Sequence, residues 1–515
     1  MVLTPEGRLY LHRYHAFESR LAGELLSRCA PPATPADPER VRKALDRLFP
    51  PGEADGGCDW QKVAAVSALT GRLSVLSGGP GTGKTTAVGR ILAVLAALRP
   101  ERPPRILLAA PTGKAAARLA DSMRTFREGL AGDPALQRVL PGEAATIHRL
   151  IHSRRRPLYG SGGDPQPLPA DVVVVDEASM VDLALMARLV AAVPDAARLI
   201  VLGDRDQLAS VEAGAVFGDI CHPGADGRYT EGFRKAYRSA AGQELPKAGG
   251  HPAERAPLLD RITVLRKNYR FGEDSAVGRL ARAVTAGDPD AVIACLAAGD
   301  PAVQWHRPGG SDFDAFLWNA AREGYRDLSG AADPRSAIEG LDRFRILCAL
   351  RVGPLGAHRL SERVEERVRD RLGVGAGGRW YPGRPVVVTR NDYASGLFNG
   401  DCGVAMAEDG GLRVFFEGRQ GGLRRFHPAR IPEHESVWAT TVHKSQGSEY
   451  DEVLLVLPAS DAPVLTRELL YTAVTRARRR VALWGDEAIV RAAVARRVER
   501  ASGLMERLWP VTGTP

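Results

Sequence analysis

Residues Gly78 to Thr86 read GGPGTGKTT, and no other stretch limits the possible fold as tightly. Gly78, a gap of four residues, then Gly83, Lys84 and Thr85 match the phosphate-loop spacing. The apolar run Leu73 to Leu76 before it has the length of a buried strand. After it, Val88, Ile91, Leu92 and Leu95 recur at helical spacing, which gives the strand–loop–helix order the motif needs. Glycines without Cβ atoms let backbone N–H groups curl around phosphate oxygens, and the helix N-terminus adds a partial positive charge. The expected cradle for a nucleoside triphosphate is Gly78, Gly79, Pro80, Gly81, Thr82, Gly83, Lys84, Thr85 and Thr86. Lys84 is placed on the β- and γ-phosphates and the Thr85 hydroxyl on Mg²⁺. A glycine-rich turn with no ligand would not need the Lys-Thr pair.

At 515 residues the chain is long enough for three or four domains. With 25% charged and 44% hydrophobic residues, its composition is that of a globular protein. No run of about 18 apolar residues is present, so no membrane-spanning helix is expected. MVLTPEGRLYLHRY lacks an apolar signal core, which predicts a cytoplasmic location. The net charge of +9 favours a polyanionic partner such as nucleic acid. The six cysteines, with no CxxC pair among them, predict free thiols rather than a zinc or iron–sulfur site.

Along the chain, residues 1–55 form a helical lead-in in which Phe17, Leu21 and Leu25 share a face, closed by the Pro-rich stretch from Pro31. Pro50-Pro51-Gly52 reads as a linker. From Trp60 to about Val216, the short apolar runs Ile106 to Ala110, Val172 to Val175 and Leu199 to Leu202 alternate with helical patterns, as in a doubly wound parallel sheet. The stretch from Arg154-Arg155-Arg156 to Pro169 reads as a surface excursion, and residues 222–257 as a polar Gly/Pro-rich insertion. A second alternating region has strand candidates at Arg345 to Leu350, Val453 to Leu457 and Val481 to Trp484. Between them, Val386 to Thr389, Gly403 to Ala407 and Leu412 to Phe416 are short strands with a hairpin turn at Asp409-Gly410-Gly411, a small β-barrel inserted in the second α/β domain.

Val172-Val173-Val174-Val175 runs into Asp176-Glu177, an apolar strand ending in the two carboxylates a phosphate loop needs. Asp176 is expected to hold Mg²⁺, and Glu177 to orient and deprotonate the attacking water. Gln207, in GDRDQL after the next strand, is a candidate γ-phosphate sensor. Arg270 in LRKNYR and Arg476 in YTAVTRA are candidates to stabilise the charge of the transferring phosphoryl group.

WQK (Trp60 to Lys62), GGPGTGKTT, AAPTGKAAARL (Ala109 to Leu119), TIHRL (Thr146 to Leu150), DEASM, GDRDQLASV, NYR, TTVHKSQGSEY (Thr440 to Tyr450) and YTAVTRA occur in this order. The series resembles the superfamily 1 DNA helicases of the 5′→3′ branch. GRLYLHRY, RNDYASGLFNGDCG (Arg390 to Gly403) and VARRVERASGL resemble the RecD family, the alpha subunits of exodeoxyribonuclease V.

That resemblance implies an α/β fold with two RecA-like P-loop domains, a small inserted SH3-like β-barrel and a short helical N-terminal region. The implied bounds are 1–55 for a remnant of a partner-docking domain, and 56–257 for the first RecA-like domain with a small insertion near 150–170. The second RecA-like domain takes 258–378 and 433–515, with the SH3-like insertion at 379–432. Gln61 is implied as the adenine contact. Thr112, Gly113, Lys114, His148, Asn391, Thr441, His443 and Lys444 are implied to line a single-strand track. The implied cofactors are ATP and Mg²⁺, and the implied partners are single-stranded DNA, duplex DNA ends, and the RecB and RecC subunits. No acidic cluster resembles a nuclease centre, and in the family that activity belongs to RecB. Members of the family carry a further N-terminal domain before GRLYLHRY, and a truncated start or a lineage lacking that domain would both give this sequence. A free-standing RecD-like helicase, a P-loop ATPase that regulates without unwinding and an RNA helicase remain open alternatives at this point.

Overall fold

Four consecutive valines, Val172 to Val175, are each at most 2% exposed, and their side chains separate into two cores. Val172 and Val174 pack with Leu76, Val88, Ile91, Leu92, Leu119 and Met123. Val173 and Val175 pack with Leu21, Leu25, Leu73, Leu189, Val190 and Val201. The strand's two-residue period thus faces a helical layer on each side, the arrangement expected of a parallel strand.

The computed structural model describes residues 1–515 except 5–6, 33–36, 51–57, 153–165, 211, 213, 223–226, 247–256, 273–274, 310–311, 330, 376–377, 393, 409, 419–421, 499–501 and 510–515. The excursion from Arg154, the end of the linker at Pro50 and Asp409 of the hairpin turn lie, in whole or in part, outside the described residues. The chain forms two units, one of Met1–Arg205, Ala209–Tyr269 and Arg500–Pro515, the other of Asp206–Leu208 and Arg270–Glu499.

The first unit opens with an antiparallel ribbon, β1 (Val2–Leu3) and β2 (Leu9–Tyr10). Its six-stranded sheet comprises β3 (Leu73–Gly78), β4 (Ile106–Ala110), β5 (Ala145–Thr146), β6 (Val172–Val175), β7 (Arg198–Gly203) and β8 (Ile262–Leu265). The order is β5-β4-β6-β7-β3-β8, with every ladder parallel. Helices Trp60–Thr70, Lys84–Ala97 and Gly113–Gly129 contribute to one core, and His12–Arg28 and Leu183–Ala192 to the other.

Two boundaries and the character of one insertion differ from what the sequence predicts. A second domain starting at residue 258 would include β8, which instead pairs with β3, so the first unit runs to Tyr269. Assigning everything after 433 to the second domain misses the C-terminal helix Leu504–Leu508, whose Leu504 and Leu508 are buried with Leu21 and Leu25. Within the insertion placed at 222–257, Glu231–Ala241 is a helix, and Phe233, Tyr237, Ala240 and Ala241 enter the first core. Its polar face dominated the composition and masked the i, i+4 apolar spacing. The lead-in helix has Leu21 and Leu25 fully buried as expected, with Phe17 packed beside them.

The second unit holds two sheets. Its strands are β9 (Val303–His306), β10 (Phe344–Cys348), β11 (Pro385–Val388), β12 (Cys402–Glu408), β13 (Gly411–Glu417), β14 (Leu423–Phe426), β15 (His434–Ser436), β16 (Ala439–Thr441), β17 (Tyr450–Val456) and β18 (Ala477–Trp484). A parallel sheet runs β16-β10-β17-β18-β9, and an antiparallel one β14-β13-β12-β11-β15. β11, β12 and β13 are legible in the sequence, whereas β14 and β15 are not, because their short segments LRRF and HES have no buried residue to mark them. Among the described residues no helix is long and apolar enough to cross a membrane, and none of the six cysteines forms a disulfide.

Arg28 ties the lead-in helix to the first unit. It is 1% exposed, and its guanidinium donates to the carbonyls of Val193 at 2.7 Å, Pro194 at 3.0 Å, Val190 at 3.4 Å and Ala197 at 3.4 Å. These carbonyls lie in or just after the last turn of Leu183–Ala192, where acceptors lack intrahelical donors and a cation complements the dipole. Arg28→Met should lower the stability of the first unit by about 2 kcal/mol, because buried acceptors lose their donors. In urea unfolding this appears as an earlier first transition, which Arg28→Lys restores only in part. An unmoved transition would mean that these bonds contribute no net stability.

Candidate nucleotide-binding site

The phosphate loop takes its shape from glycines at two positions where side chains are disfavoured. Gly81 and Gly83 have φ of +82° and +78°. Gly83 is the N-cap of Lys84–Ala97, so the loop enters the helix through a left-handed residue. Thr82 Oγ1 donates to the Gly79 carbonyl at 2.8 Å, and Lys84 Nζ donates to the carbonyls of Gly78 at 2.6 Å and Gly79 at 3.1 Å. The lysine head group is thereby held over the loop.

The segment just after β8 braces this loop. Asn268 Nδ2 donates to the Pro80 carbonyl at 2.8 Å, and the Tyr269 N–H donates to the Gly81 carbonyl at 2.8 Å. Of the NYR motif the sequence singles out Arg270, and the structure adds its two neighbours Asn268 and Tyr269. Tyr269, half exposed, lines a small pocket with Asp59, Trp60, Gln61, Thr82, Leu265 and Lys267. An aromatic face beside a buried amide can hold a flat heterocycle. The signal available in the sequence was an isolated tyrosine among polar residues, too common to act on without the fold.

Gln61 sits in the first turn of Trp60–Thr70. Asp59 Oδ1 caps that turn, accepting from the N–H groups of Gln61 at 2.9 Å and Lys62 at 3.1 Å. Two arginines bind the other end of the helix. Arg198 donates to the carbonyls of Ala68 at 2.8 Å and Gly71 at 2.5 Å, and Arg261 to the Ser67 carbonyl at 3.1 Å. A helix held at both ends presents Gln61 from a fixed position.

Beyond β6 the chain turns sharply at Asp176-Glu177. The Asp176 N–H donates to the Ala109 carbonyl at 2.9 Å, and Asp176 Oδ1 accepts from the Glu177 N–H at 2.8 Å. Glu177 adopts φ 52° and ψ 39°, and among the described residues it is the only non-glycine with positive φ. Left-handed backbone costs a residue with a Cβ roughly 1 kcal/mol or more, and such strain concentrates at functional sites. Burial, and next the neighbouring Glu177, push the Asp176 carboxyl up to about 6, while Lys84 and Arg118 draw it down. Lys84 and Glu177 therefore both act on the Asp176 carboxyl and belong to its electrostatic neighbourhood.

Thr112 caps Gly113–Gly129, its Oγ1 accepting from the Ala115 N–H at 3.2 Å, with Gly113 exposed in the first turn and Lys114 beside it. His148 is exposed one residue into Ile147–His152. β4 and β5 pair side by side, Ala110 opposite Thr146, so these residues leave the C-terminal ends of adjacent strands. That edge is where open α/β sheets bind ligands.

The remaining candidates lie in the second unit. Arg476 is 1% exposed and donates to the carbonyls of Ser448 at 3.0 Å and Thr472 at 3.2 Å. Arg270 pairs with Glu449 at 2.6 Å. Gln207 is buried, and the adjacent Leu208 is held through its backbone, its N–H donating to Thr472 Oγ1 at 2.9 Å and its carbonyl accepting from Gln446 Nε2 at 2.7 Å. Thr441 ends β16, its Oγ1 accepting from the Lys444 N–H at 3.2 Å; Lys444 is exposed and His443 partly so. Asn391 uses its side-chain oxygen on the Asn399 N–H at 2.9 Å, which closes its own loop.

A model of an AAA domain matches residues 61–213, and one of a UvrD-like helicase C-terminal domain matches 436–484. The RecBCD enzyme subunit RecD of Mycobacterium tuberculosis is 42% identical over 98% of this chain and 81% of its own length. The chain belongs to the RecD family. A RecD subunit from Haemophilus influenzae is 34% identical, over 97% of this chain and 80% of its own length. The ATP-dependent RecD2 DNA helicase of Deinococcus radiodurans is 31% identical, over 98% of this chain and 59% of its own length. RecD membership makes the protein an ATP-hydrolysing helicase.

Two substitutions separate the roles assigned here. Lys84→Gln should abolish ATP turnover without changing the circular dichroism spectrum; turnover that persisted would remove Lys84 from the reaction. Glu177→Gln should retain nucleotide binding and slow hydrolysis about 10²- to 10⁴-fold. Equal loss of binding would contradict a role confined to the attacking water.

Proposed function

We propose that the chain is a 5′→3′ translocase on single-stranded DNA, the RecD motor of a RecBCD-type complex. In this reading it works with RecB and RecC at duplex DNA ends, in double-strand-break repair by homologous recombination in the cytoplasm. The observation that carries the reading is the strained Asp176–Glu177 turn, which shares an electrostatic neighbourhood with Lys84 in a chain 42% identical to a RecBCD subunit.

The chemistry follows from these residues. Loop N–H groups and Lys84 hold the triphosphate, the pocket at Gln61 and Tyr269 takes the base, and Glu177 orients the attacking water and accepts its proton. Thr85 and Asp176 fit a magnesium ion, since both offer hard oxygen donors and burial beside Glu177 leaves Asp176 short of positive charge. When bound, the ion would neutralise charge on the phosphates. Among the described residues no cluster of three His, Cys, Asp or Glu side chains could supply a complete metal site, so water and phosphate oxygens would complete the shell.

Gln207, Arg270 and Arg476 keep the γ-phosphate roles their motifs suggest. On that reading Arg270 exchanges Glu449, and Arg476 its carbonyls, for phosphate. Both parallel sheets are read as RecA-like motor domains, and the antiparallel sheet as the SH3-like insertion. Thr112, Gly113, Lys114 and His148 in one unit, and Asn391, Thr441, His443 and Lys444 in the other, grip the strand through its backbone, which implies little sequence preference.

A second reading, a free-standing helicase, draws on the 31% identity to the RecD2 helicase, but the RecD subunit likeness is stronger. The deciding experiment compares unwinding of 5′-tailed and 3′-tailed duplexes, with single-stranded DNA and RNA as activators of ATP hydrolysis, with and without RecB and RecC. Unwinding from the 5′ tail alone, with turnover raised by DNA and not RNA, is expected. Unwinding from the 3′ tail would overturn the polarity, and full activity without partners would favour the free-standing reading.

A further inference from the structure

We propose that Arg90 is a positioning residue which decides which end of the Gln61 amide faces the base of the bound nucleotide. This rests on the reading of Gln61 as the base contact and adds what orients it.

Arg90 lies on the phosphate-loop helix Lys84–Ala97, and its Nη1 donates to Gln61 Oε1 at 2.9 Å. The two ends of a glutamine amide are nearly the same size, so shape alone does not choose between them. Charge does. A guanidinium has only donors and keeps its proton in proteins, so it accepts the amide oxygen as a neighbour and rejects the NH₂. The NH₂ must then point the other way. It does, since a Cβ built on Gly83 would stand 2.9 Å from Gln61 Nε2 and 3.5 Å from the Tyr269 ring.

The arrangement is held from both sides. Gln61 is 6% exposed, and the cap from Asp59 fixes its backbone. The Arg90 guanidinium lies 5.5 Å from the centre of the buried Phe49 ring. Gln61 therefore offers the pocket a donor, with one oxygen lone pair engaged by Arg90. The complementary feature of a purine is a ring-nitrogen acceptor, N7 on the edge that a glutamine reads in adenine. Without Arg90, the amide can turn over about its last bond and offer its oxygen instead.

The test uses the full chain and measures binding of ADP and of 7-deaza-ADP, in which N7 is replaced by C–H, by titration calorimetry with Mg²⁺. The unmodified chain should bind 7-deaza-ADP about tenfold more weakly than ADP, because a buried donor loses its acceptor. Arg90→Met, which keeps bulk against Phe49, should weaken ADP binding and bring that ratio to about twofold or less, while Arg90→Lys, still a pure donor, should restore most of it. Arg90→Gln, which can meet either end of the amide, replaces the methionine variant if that fails to fold, and should likewise lower the ratio. A purely structural role for Arg90 would lower affinity for both nucleotides equally. A tenfold ratio kept in Arg90→Met, or in Arg90→Gln, and lost in Gln61→Ala would overturn the role of Arg90. A ratio near one in the unmodified chain would overturn the donor-inward orientation. A ratio untouched by Gln61→Ala would instead remove Gln61 from the base, a failure of the underlying reading that the same titrations separate from failure at Arg90.

Discussion

A parallel strand has no face to give to water, and much of this structure follows from that constraint. Val172 to Val175 must be covered on both sides, so helices lie on both faces of the first sheet. With both faces occupied, the ends of the strands are the places left for polar chemistry. The phosphate loop leaves the end of β3, Asp176-Glu177 the end of β6, and the Thr112 and His148 segments the ends of β4 and β5. Because neighbouring strands run in the same direction, these loops emerge along one edge.

Buried guanidinium groups do much of the fastening. Arg28 covers the carbonyls that end Leu183–Ala192, and Arg198 and Arg261 those that end Trp60–Thr70. Arg345 donates to the Val437 and Leu341 carbonyls in the second unit and stacks near Tyr450. In each case a delocalised cation meets backbone acceptors that water would otherwise satisfy, and where those acceptors end a helix its dipole adds to the attraction. The same donor-only chemistry at Arg90 orients a neighbouring amide instead of closing a helix. Fastening and recognition here use one side-chain property in two settings.

The site combines rigid and strained parts. Gln61 rides on a helix held at both ends, and Asn268 and Tyr269 brace the phosphate loop through its carbonyls. Glu177 is held in a conformation that non-glycine residues avoid, which a neighbour's carboxylate helps to stabilise through the Glu177 N–H. Preorganisation of this kind puts the reorganisation cost into folding, before nucleotide arrives.

The amino-acid sequence by itself determined β3, β4, β6 and β7 of one parallel sheet, β10, β17 and β18 of the other, the phosphate loop and its acidic partners, because short apolar runs, helical spacing and glycine placement are local properties of the chain. It also located the inserted β segment through the short strands at Val386, Val404 and Val414, whose side chains are buried in the structure. Only tertiary structure decided where the units divide, because β8 and the terminal helix carry ordinary apolar patterns that do not state which sheet they will join. The polar strands β14 and β15 became strands through their neighbours' hydrogen bonds, with little signal of their own. Tyr269 and Arg90 escaped the sequence for the same reason. A ring lining a pocket, or a guanidinium 2.9 Å from a glutamine 29 positions away, is a relation in space, and no local pattern encodes it.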